Sequence, residues 1–86
     1  MKIIINKSTK LVKYNLENDI QVIIGARATA VNNSDGSPLF IISDLRLENA
    51  DVVEDVDNVP EDWAGNKYIY EGGAFTLSPD WVGPEL

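Results

Sequence analysis

Apolar residues along this chain fall in short runs, each broken after a few positions by Asn, Asp, Gly, Ser or Pro. β-Branched and aromatic residues dominate the runs, the pattern of strands separated by turns. It predicts strands at Lys2–Ile5, Leu11–Tyr14, Ile20–Gly25, Arg27–Val31, Leu39–Ile42, Arg46–Glu48, Lys67–Tyr70 and Ala74–Leu77. Asn6–Lys10 reads as a hairpin loop joining the first two. Ile20, Val22 and Ile24 alternate with Gln21 and Ile23, so a period of two sets the face they bury. Arg27–Val31 continues that alternation, with its small residues expected inward. Asn32-Asn33-Ser34-Asp35-Gly36-Ser37-Pro38 is the clearest loop, since nearly all of its residues favour turns.

No stretch sustains a helical period over three turns. In Asp44–Glu54, Leu45, Leu47, Val52 and Val53 do not share one helical stripe, and Leu45 and Leu47 fit a strand better, with a helical turn as the alternative. A single helical turn is expected at Pro60-Glu61-Asp62-Trp63, where proline suits the first helical position and acids suit the first turn. At the end of the chain, Lys67-Tyr68-Ile69-Tyr70 and Ala74-Phe75-Thr76-Leu77 flank Glu71-Gly72-Gly73. Glycines there are free to take the positive φ of a tight turn. The expected fold is all-β: one domain over residues 1–86, a small antiparallel sandwich or partly open barrel of about eight short strands, ending in an aromatic hairpin.

With 86 residues the chain buries only about 60–65% of the surface it exposes when unfolded. It has no cysteine and no histidine. Disulfides, thiol nucleophiles, imidazole bases and the usual zinc ligands are thereby excluded. Seven basic and 14 acidic residues give a net charge of −7, which argues against a nucleic-acid partner. Residues 1–43 carry a balance of +2 and residues 44–86 a balance of −9. Met1–Lys7 lacks the apolar stretch of about 7–15 residues and the cleavage site of a secretory signal. Runs such as Leu39–Ile42 are far shorter than the roughly 20 residues that span a bilayer. A cytoplasmic product with no membrane partner is expected.

The acidic stretch Asp51–Asp62 carries six acids and invites three readings. A calcium site would use the clustered oxygens, but the EF-hand pattern fails: counting from Asp55, Val59 holds the fifth place and Pro60 the place that needs glycine. Mimicry of a nucleic-acid phosphate backbone would let the protein block a basic groove. The plain alternative is a solvated loop in which Val52, Val53, Val56 and Val59 pack while the acids face water. Paired carboxylates are the raw material of acid–base hydrolysis, yet any chain with 14 acids offers such pairs. No phosphate-cradling loop or metal motif accompanies them, so no enzyme activity, cofactor or metal is expected.

Trp63, Tyr68, Tyr70, Phe75 and Trp81 fall within 19 residues. They could form a binding platform, since Trp and Tyr dominate hot spots, or a mini-core in which Trp63 and Trp81 clamp the last hairpin. Tyr68 and Tyr70 share one face of their strand and Ile69 the other. Trp63, Tyr68, Tyr70 and Trp81 are the expected packed or protein-contacting cluster.

The segment from Val59 to Trp81 carries Val-Pro and an acidic residue before an aromatic, then Gly65-Asn66-Lys67-Tyr68-Ile69-Tyr70, a glycine turn, an aromatic strand and Ser78-Pro79. It resembles a short module of small tailed-bacteriophage proteins from the tail and tail-fibre neighbourhood. Lys2–Lys7 and Leu11–Tyr14 are similar to small proteins of marine cyanobacterial phages. The resemblance implies a non-enzymatic virion accessory or structural module, in the virion or the host cytoplasm. It would act by binding protein, either further copies of itself or a tail or fibre component. The alternative is a soluble acidic phage effector that inhibits a host DNA-binding or polymerase protein.

Overall fold

The computed structural model describes residues 1–81. Among them lie eight short strands and no helix: β1 (Lys2–Asn6), β2 (Val12–Leu16), β3 (Gln21–Ile24), β4 (Thr29–Asn32), β5 (Pro38–Ile42), β6 (Ala50–Val53), β7 (Tyr68–Glu71) and β8 (Ala74–Leu77). All pairing between strands is antiparallel, in three small sheets ordered β2-β1-β6, β3-β4-β5 and β7-β8.

β1 is the strand around which the rest is arranged. Ile3 and Ile4 are wholly buried and Ile5 nearly so, although successive residues point to opposite faces. A strand buried on both faces reads as a continuous apolar run, which Ile3-Ile4-Ile5 is. On one face Ile4 meets Val31, Ile42, Leu45 and Ala50, with Tyr14, Leu16, Val22 and Ile24 packed around them. This is the core between the first two sheets, and it makes them a sandwich. On the opposite face Ile3 and Ile5 meet Val12 and Val56, covered by Val53, Val59, Trp63, Tyr70 and Phe75. A bulge between Ile4 and Ile5 pairs Ile5 with Val12 and so brings Val12 to that second face.

The loops are held by their own side chains. Asn6 Oδ1 accepts hydrogen bonds from the backbone N–H groups of Ser8 (2.9 Å) and Thr9 (3.0 Å), and the Lys10 N–H closes on the Asn6 carbonyl at 2.8 Å. Asp35 and Asn33 both bond to Ser37 in the loop before β5, and Gly36 takes φ +89° there. The buried polar side chains of Thr29 and Lys2 are paired. The Thr29 hydroxyl donates to the Leu45 carbonyl at 2.8 Å, and buried Lys2 donates through Nζ to the Ile20 carbonyl at 2.6 Å, with Glu54 3.4 Å away.

Three expectations need correction. Arg46–Glu48 is a turn, not a strand, because Asn49 ties it: Asn49 Oδ1 accepts from the Arg46 N–H at 2.8 Å and Nδ2 donates to the Asp44 carbonyl at 2.9 Å. The sixth strand lies just beyond, at Ala50–Val53, inside the stretch expected as an acidic loop, where Val52 and Val53 pair with Ile4 and Ile3. In Arg27–Val31 the inward residues are Thr29 and Val31, both wholly buried, while Ala30 faces out. Pro60–Trp63 closes as a single turn where one was expected, with the Trp63 N–H on the Pro60 carbonyl at 3.1 Å.

Lys10 sits at φ 63°, a left-handed conformation that costs a side-chain-bearing residue about 1–2 kcal/mol and glycine almost nothing. Allowing for the greater freedom of an unfolded glycine, Lys10→Gly should raise stability by about 0.5–1 kcal/mol in urea denaturation. A loss of stability would show that the Lys10 side chain contributes packing that outweighs the backbone term.

Candidate functional site: the C-terminal aromatic hairpin

Gly72 and Gly73 form a two-residue turn with φ values of 61° and 80°. Positive φ at both central positions matches the twist of a tight hairpin, and the flanking Glu71 and Ala74 are paired across it. That register places Tyr70 opposite Phe75 and Tyr68 opposite Leu77. Tyr70 and Phe75 therefore pack across the strands, with ring centroids 4.8 Å apart and planes tilted by 58°, and Tyr68 meets Phe75 edge-on at 6.4 Å.

The hairpin is fastened to the β2 edge of the first sheet. The Tyr70 N–H donates to the Lys10 carbonyl at 2.9 Å, the Asn66 N–H donates to the Val12 carbonyl at 3.0 Å, and Leu11 bridges to Ile69. These bonds cover what would be an open edge. They also swing Tyr70 and Phe75 over the second core, where Trp63 joins them. The Trp63 indole Nε1 is buried there and meets no acceptor among the described residues.

Lys67 organises the outer side. Its ammonium lies 2.8 Å from Asp62 Oδ2 and donates to the Asp62 carbonyl at 3.2 Å, while the Tyr68 hydroxyl donates to Asp62 Oδ1 at 2.8 Å. The same ammonium stands 5.7 Å from the centre of the Tyr68 ring and 5.9 Å from that of Trp81, within range of a cation–π contact to each. The four aromatic residues expected as one cluster thus divide. Trp63 and Tyr70 pack inward, whereas Tyr68 and Trp81 flank Lys67, and Phe75 links the pairs through Tyr70 and Tyr68. Phe75, Lys67 and Asp62 were not among the expected site residues. Asp62 lies five and six residues before its partners, a separation that no strand or helix period marks.

Chemically this is a fastening. Hydrogen bonds from Lys67 and then Tyr68 hold the Asp62 carboxyl below its ordinary value of 3.8. The bond to Asp62 raises the Lys67 ammonium above 10.5, and the same acceptor, helped by desolvation, raises the Tyr68 phenol above 10.0. Each group is locked in its resting charge state, and none of the three is tuned toward neutrality as a general acid or base would be. Among the described residues no three carboxylates converge to hold a metal ion, and all six acids of Asp51–Asp62 are exposed. None of the described helices, for there are none, could cross a membrane.

No protein-family model, curated protein or solved structure matches this chain.

Two outcomes follow from this geometry. The depressed Asp62 group contributes stability that is full above pH 3.8 and lost as the pH falls through its lowered value. The raised Tyr68 and Lys67 groups contribute below 10.0 and 10.5 and lose their contribution as the pH rises through their raised values. The fastening is therefore intact between 3.8 and 10.0, and Asp62→Asn should bring the Tyr68 phenol down toward 10.0 in an NMR titration of its ring. An unmoved midpoint would mean that Asp62 does not hold Tyr68. At Trp63, the unpartnered N–H means that Trp63→Phe should cost less than about 1 kcal/mol, while Trp63→Ala costs about 3 kcal/mol or more. Equal losses in chemical denaturation would show that the indole nitrogen has a partner.

Proposed function

We propose that the protein is a non-enzymatic accessory module of a phage virion, in the tail or tail-fibre neighbourhood, acting by binding protein. The observation that carries the protein-binding part is the number of large apolar side chains left at the surface: Ile23, Leu39, Phe40, Ile41, Leu47 and Leu77 are all between 41% and 64% exposed. Ile23, Leu39 and Ile41 among them lie in one sheet, and exposed apolar side chains grouped on one surface mark contact sites in small proteins. A domain this small, with no disulfide to staple it, gains stability from whatever covers them. The virion part rests on the resemblance of Val59–Trp81 to the tail-associated module. That segment is also a physical unit here, a turn, a hairpin and an ion-paired fastening packed on the second core.

A second reading has its own observation. Asp51, Glu54, Asp55, Asp57, Glu61 and Asp62 are all exposed, on a chain of net charge −7. Such a strip suits an effector that occupies a basic groove on a host DNA-binding protein or polymerase.

Peptide mass spectrometry on gradient-purified virions of the source phage separates the two. A fixed low copy number relative to the major capsid protein is the outcome expected of an accessory module. Absence from clean virions, with a host protein captured in pull-downs that weaken steeply as salt rises, would overturn it in favour of the effector.

A further inference from the structure

The β3-β4-β5 sheet has an outer face with no partner among the described residues. Cross-strand registry aligns Ile23, Ala30 and Ile41 in one row and Gln21, Asn32 and Pro38 in the next. The alternate rows, Val22-Val31-Phe40 and Ile24-Thr29-Ile42, turn toward the core, with Phe40 at its rim beside Tyr14 and 41% exposed. An antiparallel sheet with one face in water ordinarily alternates apolar inside with polar outside. Here the outer row exposes Ile23 at 55% and Ile41 at 64%, with Leu39 at 48% on the bulge beside them. Charged residues make up 24% of the chain, yet none stands in any of these three strands.

We propose that this face is covered by the same face of a second copy, in a two-fold symmetric dimer. The proposal rests on the protein-binding reading above and specifies the partner. Three features favour a second copy as the occupant. The row is self-complementary: two isoleucines about 10 Å apart flank an alanine, so an isoleucine of one copy can sit over the alanine of the other. The area is also of the right order. Half-exposed aliphatic side chains contribute on the order of 50–100 Å² each. Ile23, Leu39, Ile41 and the rim of Phe40 together bring about 200–400 Å², the same order as the roughly 450 Å² of apolar surface that each partner brings to a standard interface.

Charge is the third feature. Two chains of net charge −7 repel, so they can meet only where neither presents acids. The charges near the sheet lie at its two ends. Exposed Arg27 and Asp44 follow β3 and β5 at one end, and exposed Asp19 and Asp35 stand before β3 and β5 at the other. A two-fold axis across the strands sets Arg27 of each copy beside the acidic end of its mate. An axis along the strands would instead gather four aspartates at one end. The first arrangement is the favoured one, and Arg27 makes no ion pair among the described residues that would compete with it.

Sedimentation-equilibrium measurements on the full chain, from about 1 µM to 1 mM, test the proposal. The expected result is a mass that rises with concentration to twice that of the chain. Ile41→Lys should raise the dissociation constant at least about tenfold, with circular dichroism preserved and melting temperature preserved at concentrations where both chains are monomers, because in the monomer the side chain is already in water. Arg27→Glu should weaken the dimer in the same direction, and Leu77→Lys, on the separate β7-β8 sheet, should leave it unchanged. A monomer at every concentration would overturn the proposal, as would a dimer that Leu77→Lys disrupts and Ile41→Lys does not. A chain found in virions but monomeric in solution removes this interface and leaves the virion reading standing. A dimer of a chain absent from virions does the reverse.

Discussion

The burial of Ile3-Ile4-Ile5 on both faces of β1 is the constraint from which the rest of the structure follows. Consecutive residues of a strand point in opposite directions, so three isoleucines in a row cannot be satisfied by one sheet packing on one side. Something must cover each face. The β3-β4-β5 sheet covers the Ile4 side. Val56, Val59, Trp63 and the C-terminal hairpin cover the Ile3 and Ile5 side. A chain of 86 residues is thereby committed to two modest cores on opposite sides of one strand.

That commitment has a cost in coverage. With their apolar side chains divided between two cores, the described residues place no layer over the outside of the β3-β4-β5 sheet. Ile23 and Ile41 therefore stay in water, in a sheet without charges, while the acids collect along Asp51–Asp62 on the surface of the other side. The two surfaces have opposite physical characters. One disfavours water and tolerates a like-charged copy; the other favours water and repels one. The protein-binding reading and the effector reading differ in which of these surfaces meets the partner.

The C-terminal hairpin shows how a small domain secures its last element without disulfides. Apolar packing by Tyr70 and Phe75 supplies burial, and three backbone links to Lys10, Leu11 and Val12 supply register. Lys67 and Asp62 then close the outer side, where solvent screens each contact and no single one contributes much. Holding comes from the sum of contacts made by one short segment.

Much of this was legible in the order of residues, because it depends on neighbours close in the chain. Alternation of period two marks β3 and β4, a short apolar run marks β5, the Asn33–Ser37 loop carries its own turn chemistry, and Gly72-Gly73 suits the positive φ of a tight hairpin. Only the tertiary structure decided what depends on distant partners. Leu45 and Leu47 alternate as well as any strand, but β1 needed a second neighbour and took Ala50–Val53, while Asn49 bent the preceding residues into a turn. The inward turn of Thr29 and Val31 was likewise settled across the sheet, where Leu45 offered the Thr29 hydroxyl an acceptor. Lys67 became the hub of the outer cluster because the chain returns to bring Asp62, Tyr68 and Trp81 around it. Local sequence sets backbone preference within a few residues; which strand edge, face or charge is answered by a residue far along the chain is decided by packing.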